Sequence, residues 1–304
     1  MRVSLILNAS RADARAVAAQ FTGVCAARSA ELHVDICDPP ALAAATHRAM
    51  DEGSTVVVAG GGDGTISTVA GVLAGTKVTL GVLPLGTLNH FARDLQIPRT
   101  LDAAMATTLD GAVTAVDVGE VNGRVFINNA SVGLYPRLVW EREQQQRQGR
   151  RKWTAMAAAA WTVWRRYRRV TVAIQQGAIE QGGQPAIHVR TPFVFVGNNP
   201  YQLTGLDFGS RASLTTGRLQ ACMAPGLTAA GVLQVLGSTL TGRLPGFEQF
   251  ESLEVRELTV GAMRPRLGVA LDGELLVLRT PLRYQIRPVA LRVAVPREAT
   301  RRAG

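Results

Sequence analysis

Four glycines, an aspartate and a threonine in six consecutive positions, Gly60-Gly61-Gly62-Asp63-Gly64-Thr65, are the residues of this chain whose spacing most directly implies chemistry. An apolar run, residues 55–59, precedes them, and Ile66, Val69, Ala70 and Leu73 follow at helical spacing. A buried strand, a glycine turn and a helix in that order bring exposed backbone N–H groups and the positive end of the helix to one point. That point is an anion cradle suited to phosphate. Asp63 is the odd member, because a carboxylate beside bound phosphate repels it unless a divalent cation stands between. It therefore suggests Mg²⁺, held directly or through water, or else a base. A tight structural turn with an aspartate cap would explain a bare Gly-Asp-Gly, but it explains the whole run poorly. No Gly-Lys-Ser/Thr follows, so this is not a Walker loop.

A second loop, from Leu83-Pro84-Leu85-Gly86-Thr87-Leu88-Asn89-His90 to Leu95, again leaves a strand and opens a helix. Both loops should lie at the carboxyl edge of one sheet, where ligands bind. Thr87 and Asn89 are candidates to touch nucleotide or metal-bound water, with helix capping as the alternative role. Near the other end of the chain, Asp272-Gly273 between residues 269–271 and 275–277 reads as a two-residue hairpin turn.

The elements that must position these residues fall into two textures. Residues 1–120 alternate strand-like runs (3–7, 32–36, 55–59, 78–83) with helical ones (12–29, 41–50, and a third beginning after Thr65 and stopping near Gly75), the rhythm of a parallel α/β sheet. Beyond it, runs at 125–128, 170–174, 193–196, 218–223, 253–260 and 275–278 come without long helices between them, which predicts an antiparallel β domain. Residues 296–304 read as a frayed tail. At 304 residues the chain suits two domains, and 47% hydrophobic against 18% charged residues is globular composition. The formal charge of +10 draws it to polyanions. Without an aromatic RNA-binding signature, zinc-finger spacing or basic heptads, nucleic acid is not the expected partner. Three scattered cysteines, Cys25, Cys37 and Cys222, read as buried thiols in a reducing compartment. The apolar run at the start is too short for a signal peptide.

Gly-Gly-Asp-Gly-Thr, then Leu-Pro-Leu-Gly-Thr-Leu-Asn, then Leu271-Asp272-Gly273-Glu274 resembles the diacylglycerol kinase catalytic family, which includes bacterial lipid kinases and the sphingosine and ceramide kinases. Asp117-Val118-Gly119, Val196-Gly197-Asn198-Asn199 and Leu291-Arg292-Val293 extend the match in order along nearly the whole chain. The resemblance implies an α/β nucleotide-binding domain (1–120), a β-sandwich domain for the lipid (121–285) and a segment (286–304) that returns to the first. It implies ATP held by Asn8, Gly60, Gly61, Gly62, Asp63, Gly64, Thr65, Ile66, Ser67, Gly86, Thr87 and Asn89, and Mg²⁺ served by Asp63 and Asp117. It also makes Asp272 and Glu274 the source of the base. An alcohol attacking a γ-phosphoryl group needs such a carboxylate within reach of its proton and a metal to neutralise developing charge. Which of the two takes the proton stays open, since residues two apart in a strand face one side.

Three positions depart from the family pattern. Asn8-Ala9-Ser10-Arg11 stands where Asn-Pro and a glycine turn are usual, and His90 stands where an aspartate follows Asn89. Thr216 replaces the aspartate of a Leu-x-Asp-Gly segment, so no second metal is expected there. The apolar residues 153–164, with Trp153, Trp161 and Trp164 fenced by arginines, are too short to span a bilayer and suit an interfacial helix or a cover on the β domain. The expected protein is cytoplasmic and peripheral to an anionic membrane, acting on a lipid hydroxyl. The rivals are a kinase of a soluble acceptor such as NAD, and a catalytically weak lipid-binding relative.

Overall fold

The structure, a computed structural model, describes residues 1–133, 170–176, 187–191, 193–202, 209–225 and 251–300. The tryptophan-bearing stretch lies outside them. The first region is built as its patterning predicts. Strands β1 (Arg2–Asn8), β2 (Glu31–Cys37), β3 (Val56–Gly61) and β4 (Thr79–Pro84) run parallel in the order β2-β1-β3-β4. Helices α1 (Ala14–Ala26), α2 (Leu42–Asp51, entered through a turn at Pro39–Ala41), α3 (Asp63–Leu73), α4 (His90–Asp94) and α5 (Leu101–Asp110) connect or flank them. All six residues of β3 are buried, as a strand covered on both faces must be.

Three expectations change. Helix α3 begins at Asp63 rather than after Thr65, with Gly62 as its N-cap, so Asp63 and Thr65 belong to the first helical turn. Residues 253–260, expected as one strand, are two: β12 (Glu251–Val255) and β13 (Glu257–Ala262) lie in different sheets, and the chain crosses between them at Arg256. The inward apolar positions change from odd (Leu253, Val255) to even (Leu258, Val260) across Arg256, so the crossing shows in the pattern as a break of the alternation. At the tail, Arg297–Thr300 form a helical turn, α6, where fraying was expected, and Arg297 donates to the Asp110 carbonyl.

The second region is antiparallel, as expected. Strands β5 (Ala112–Val121), β6 (Arg124–Phe126), β7 (Asn129–Gly133), β8 (Val170–Gln176), β9 (Ile187–Thr191), β10 (Phe193–Asn198), β11 (Leu219–Met223), β14 (Arg266–Leu271), β15 (Glu274–Arg279) and β16 (Leu282–Val295) complete the described sheets. Six strands form one layer in the order β12-β11-β10-β7-β14-β15. The other layer, β16-β13-β8-β9 with β5 and β6, is continuous with the parallel sheet and brings that sheet to ten strands. The join is β16. Its early residues pair with β13, its late residues Arg292 and Val293 pair in parallel with β4, and β5 runs antiparallel along both halves. One strand thus returns the chain to the α/β region. Two separate cores result: one under the parallel sheet, around Leu5, Ile66, Leu80 and Phe91, and one between the layers, around Val196, Val269 and Tyr284. Burial of Cys25 and Cys222, and half-burial of Cys37, push all three thiols up.

Candidate active site

The glycine turn and the second loop lie side by side because β3 and β4 are neighbours in parallel register, Gly61 opposite Pro84. Leu85 N–H donates to the Gly61 carbonyl at 3.0 Å. Glycine is demanded by this approach: a Cβ on Gly86 would stand 2.6 Å from the Gly62 Cα, and one on Gly61 would stand 2.5 Å from Thr65 Oγ1. Asn8, at the end of β1, reaches the same turn. Its Nδ2 lies 3.4 Å from Thr65 Oγ1, while its Oδ1 accepts from Ser10 N–H at 2.9 Å. Arg11 donates to the Leu85 carbonyl and pairs with Asp13 at 2.7 Å.

Within this edge the candidates divide by what their side chains are doing. Asn89, left-handed at φ 49°, neither caps α4 nor points outward. Its amide closes the loop on itself, accepting from Gly86 N–H and donating to the Pro84 and Gly86 carbonyls at 2.8–3.1 Å. Ile66 is wholly in the core, so only its backbone can face a ligand. Thr87 is exposed at the loop crest. Asp63 differs from all of these, because its Oδ1 is buried and has no hydrogen-bond partner. A buried carboxylate oxygen without a donor is costly, and a cation is one partner that would satisfy it.

The Asp272-Gly273 hairpin forms as expected. Leu271 pairs with Glu274, and both turn residues have positive φ, 46° and 94°, the geometry of a type I′ turn. The hairpin docks on the first turns of α3. Ser67 Oγ donates to Asp272 Oδ2, and the Glu274 Oε1 stands 3.5 Å from where a Cβ on Gly64 would lie. Asp272 also receives three backbone N–H groups, from Ile127 at 2.8 Å, Asn128 at 2.8 Å and Asn129 at 2.9 Å. Burial pushes its carboxyl above the usual range, against the pull of the Ser67 hydroxyl and these amides. Four donors fill its two oxygens. Glu274 is exposed and makes no such bonds.

The segment 127–129 that holds Asp272 is itself held from behind. The Ile127 carbonyl accepts from Arg211 Nη1 at 2.6 Å and Asn198 Nδ2 at 3.0 Å, and the Asn128 carbonyl accepts from Tyr201 Oη at 3.0 Å. Arg211 is fully buried and pairs with Asp94, itself 2% exposed, at 2.7 Å. Its remaining donors go to the Asn198 carbonyl and to Asn128 Oδ1, and it lies 5.3 Å from the Tyr201 ring centre. That phenol is pushed up to about 12, by burial first and against the nearby guanidinium. Asp94 ends α4, the helix opened by the second loop, so one ion pair ties that loop's helix to the segment gripping Asp272.

Asp117 is buried, and both its oxygens are taken: Oδ2 by Gly217 N–H at 2.7 Å and Oδ1 by Val289 N–H at 2.8 Å. It joins β5, the 214–217 loop and the irregularity in β16. Thr216 donates through N–H and hydroxyl to Asn199 Oδ1 at 2.9 and 2.6 Å. His90 Nδ1 lies 3.3 Å from Arg93 Nη2. Among the described residues no three His, Cys, Asp or Glu side chains cluster as a metal set. The structure therefore gathers Asn8, Gly60 to Gly64, Thr65, Ser67, Gly86, Asp272 and Glu274 at one edge, and gives Asn89 and Asp117 internal partners. Sequence reasoning missed Arg211 and the 127–129 amides. Asp94 stood inside a motif already singled out, and was passed over.

Residues 2–121 match the family described as diacylglycerol kinase catalytic domain. A Pseudomonas aeruginosa protein named probable lipid kinase YegS-like is 32% identical over 252 residues, covering 82% of this chain and 79% of its own. A Staphylococcus aureus diacylglycerol kinase is 41% identical over 96 residues, 31% of this chain and 30% of its own. In structure, a putative diacylglycerol kinase from Bacillus anthracis superposes with a TM-score of 0.70 over 98% of both chains at 20% identity, which speaks for the fold. The chain belongs to the diacylglycerol kinase catalytic family, and it is an enzyme of the kinase class.

Proposed function

We propose that the chain transfers the γ-phosphoryl group of ATP, bound with Mg²⁺, to a lipid hydroxyl, with a diacylglycerol-like alcohol as acceptor. The observation that carries this reading is the docking of the Asp272–Glu274 hairpin on the first turns of α3, which sets carboxylates beside a phosphate cradle. The names of the relatives, lipid kinase and diacylglycerol kinase, support the acceptor class.

In this reading the N–H groups of Gly61 to Thr65 and the N-terminal end of α3 receive the phosphates, with Gly86 and Thr87 forming the opposite wall. The orphaned oxygen of Asp63 fits a metal, and a Mg²⁺ held there by Asp63, water and phosphate oxygens would neutralise charge on the transferring group. Glu274, free and beside the turn, accepts the proton of the attacking hydroxyl. Asp272, saturated by four donors, positions the hairpin instead. Asp117 serves the site by fixing the strands behind it. We take the enzyme to meet its lipid as a peripheral protein on the cytoplasmic face. Among the described residues no helix is long and apolar enough to cross a membrane.

The test is turnover with labelled ATP on a panel of diacylglycerol, phosphatidylglycerol, sphingosine and NAD, read by product mass. A phosphorylated lipid is expected. Phosphorylated NAD alone would move the chain to the soluble-acceptor kinases, and no product from any acceptor would favour the weak binding relative.

A further inference from the structure

The β14–β15 hairpin carries the candidate base at one end and an unexplained charge arrangement at the other. Arg266 and Arg279 stand directly opposite each other in the ladder. Both are exposed, as is Arg264 in the turn leading into β14. None of the three has an ion pair among the described residues. Like charges directly opposite on an antiparallel pair destabilise it, and this pair is held in place. Thr280 fixes the adjoining turn, its hydroxyl donating to the Arg264 carbonyl at 2.6 Å and its N–H to the Pro265 carbonyl at 3.1 Å.

Apolar side chains share this surface. Leu276 and Leu278 turn toward the second core, so the alternation of β15 sends Leu275, Val277 and Arg279 to the opposite face. Val277 is 71% exposed and Leu275 43%, and Met263, beside Arg264, is 96% exposed. A nucleic acid would satisfy the arginines and leave these side chains in water. An anionic bilayer satisfies both, taking the guanidinium groups at headgroup phosphates and the apolar groups at the acyl boundary.

We propose that the outer face of the β14–β15 hairpin, with the Met263-Arg264-Pro265-Arg266 turn, is the surface that docks on anionic phospholipid. The inference deepens the lipid-acceptor reading and rests on it. Docking here lays β15, the strand that begins at Glu274, along the bilayer holding the acceptor, with the Glu274 side chain on the other face, beside Leu276.

The experiment is sedimentation of the full chain with vesicles of phosphatidylglycerol and phosphatidylcholine, against phosphatidylcholine alone, over a range of NaCl. Wild type should bind the anionic vesicles, less as salt rises. Arg279→Glu turns a repelling pair into an attracting one, so its melting temperature should hold or rise while vesicle partition falls about tenfold. Met263→Ser should lower partition several-fold at unchanged melting temperature. Absence of wild-type binding, or Arg279→Glu binding within twofold of wild type, overturns the proposal. So does a loss that comes only with a lowered melting temperature, and so does loss of binding to a DNA duplex while vesicle binding is kept. Turnover on detergent-dispersed diacylglycerol is read in parallel. Vesicle binding without turnover by wild type defeats the kinase reading and leaves the docking face standing, and turnover without binding does the reverse.

Discussion

The glycine edge and the clamp around Arg211 contain the same kinds of groups in different states. At the edge, among the described residues, Asp63 keeps a buried oxygen without a hydrogen-bond partner, Thr87 is exposed, and the Glu274 side chain makes no hydrogen bond. In the clamp around Arg211, Asp272 and Asp117, each carboxylate oxygen of the two aspartates has a donor, and Arg211 spends its donors on four oxygens. Asp94 is the clamp's exception, its Oδ1 buried without a hydrogen bond and 3.7 Å from Arg93 Nε. A buried unpaired oxygen calls for an explanation, whereas satisfied buried networks fix geometry. The difference assigns roles. In the proposed reading the edge reacts, and the clamp places Glu274 beside the glycine turn.

The largest expected effects are those that break the edge and spare the clamp. Asp63→Ala removes the orphaned oxygen, so turnover should fall about a thousandfold or more while the melting temperature holds or rises slightly. A variant with near-wild-type turnover would remove Asp63 from the chemistry. Glu274→Gln should cost about a hundredfold to ten-thousandfold in kcat with an unchanged fold, the range of a lost general base. If Asp272→Asn matches that loss at full stability and Glu274→Gln does not, the two carboxylates have exchanged roles.

The clamp should answer in the opposite currency. Arg211→Met leaves Asp94 buried without its partner and should lower stability by about 3–5 kcal/mol in denaturant unfolding. Replacing both, Arg211→Met with Asp94→Leu, should recover much of that stability, because no lone charge remains buried. The comparison predicts that kcat does not recover with it, since the grip on residues 127–129 is still gone. Full recovery of kcat in the double variant would make the ion pair a matter of stability alone.

These two regions also differ in how far the sequence reveals them. The glycine turn, the second loop and the hairpin turn are contiguous, and each needs residue types with a mechanical reason: no Cβ where loops touch, positive φ at Asp272-Gly273. They were readable for that reason. The clamp is assembled from backbone amides at 127–129, which any residue supplies, and from Asp94 and Arg211, 117 positions apart. No local pattern announces such a pairing. Asn89 shows the converse limit, since its motif was legible but the side chain's actual partners, the Pro84 and Gly86 backbone, follow from a left-handed φ that the residue type permits without requiring. The crossing of β12 into β13 at Arg256 was legible but passed over, because the apolar positions change there from odd (253, 255) to even (258, 260), which one continuous strand would not do.

The smallest effect tests the one bond that joins the two regions, from Ser67 on the edge helix to Asp272 in the clamp. Ser67→Ala deletes a donor that favours the charged carboxylate, so the Asp272 pKa, already raised by burial, should rise further. Between the ordinary carboxylate range and the raised value, the native state keeps a proton that the unfolded chain has released, so stability falls as pH rises through that window. In Ser67→Ala the window widens upward. The same shift moves the acid limb of the pH–rate profile to higher pH, because the hairpin is held in place only by an ionised Asp272 that can accept every amide. With the three amide donors still in place, the loss of kcat at neutral pH should be modest, corresponding to about 1 kcal/mol, and should shrink as pH is raised. An acid limb that stays where it is in wild type would mean that the protonation of Asp272 does not govern the placement of Glu274.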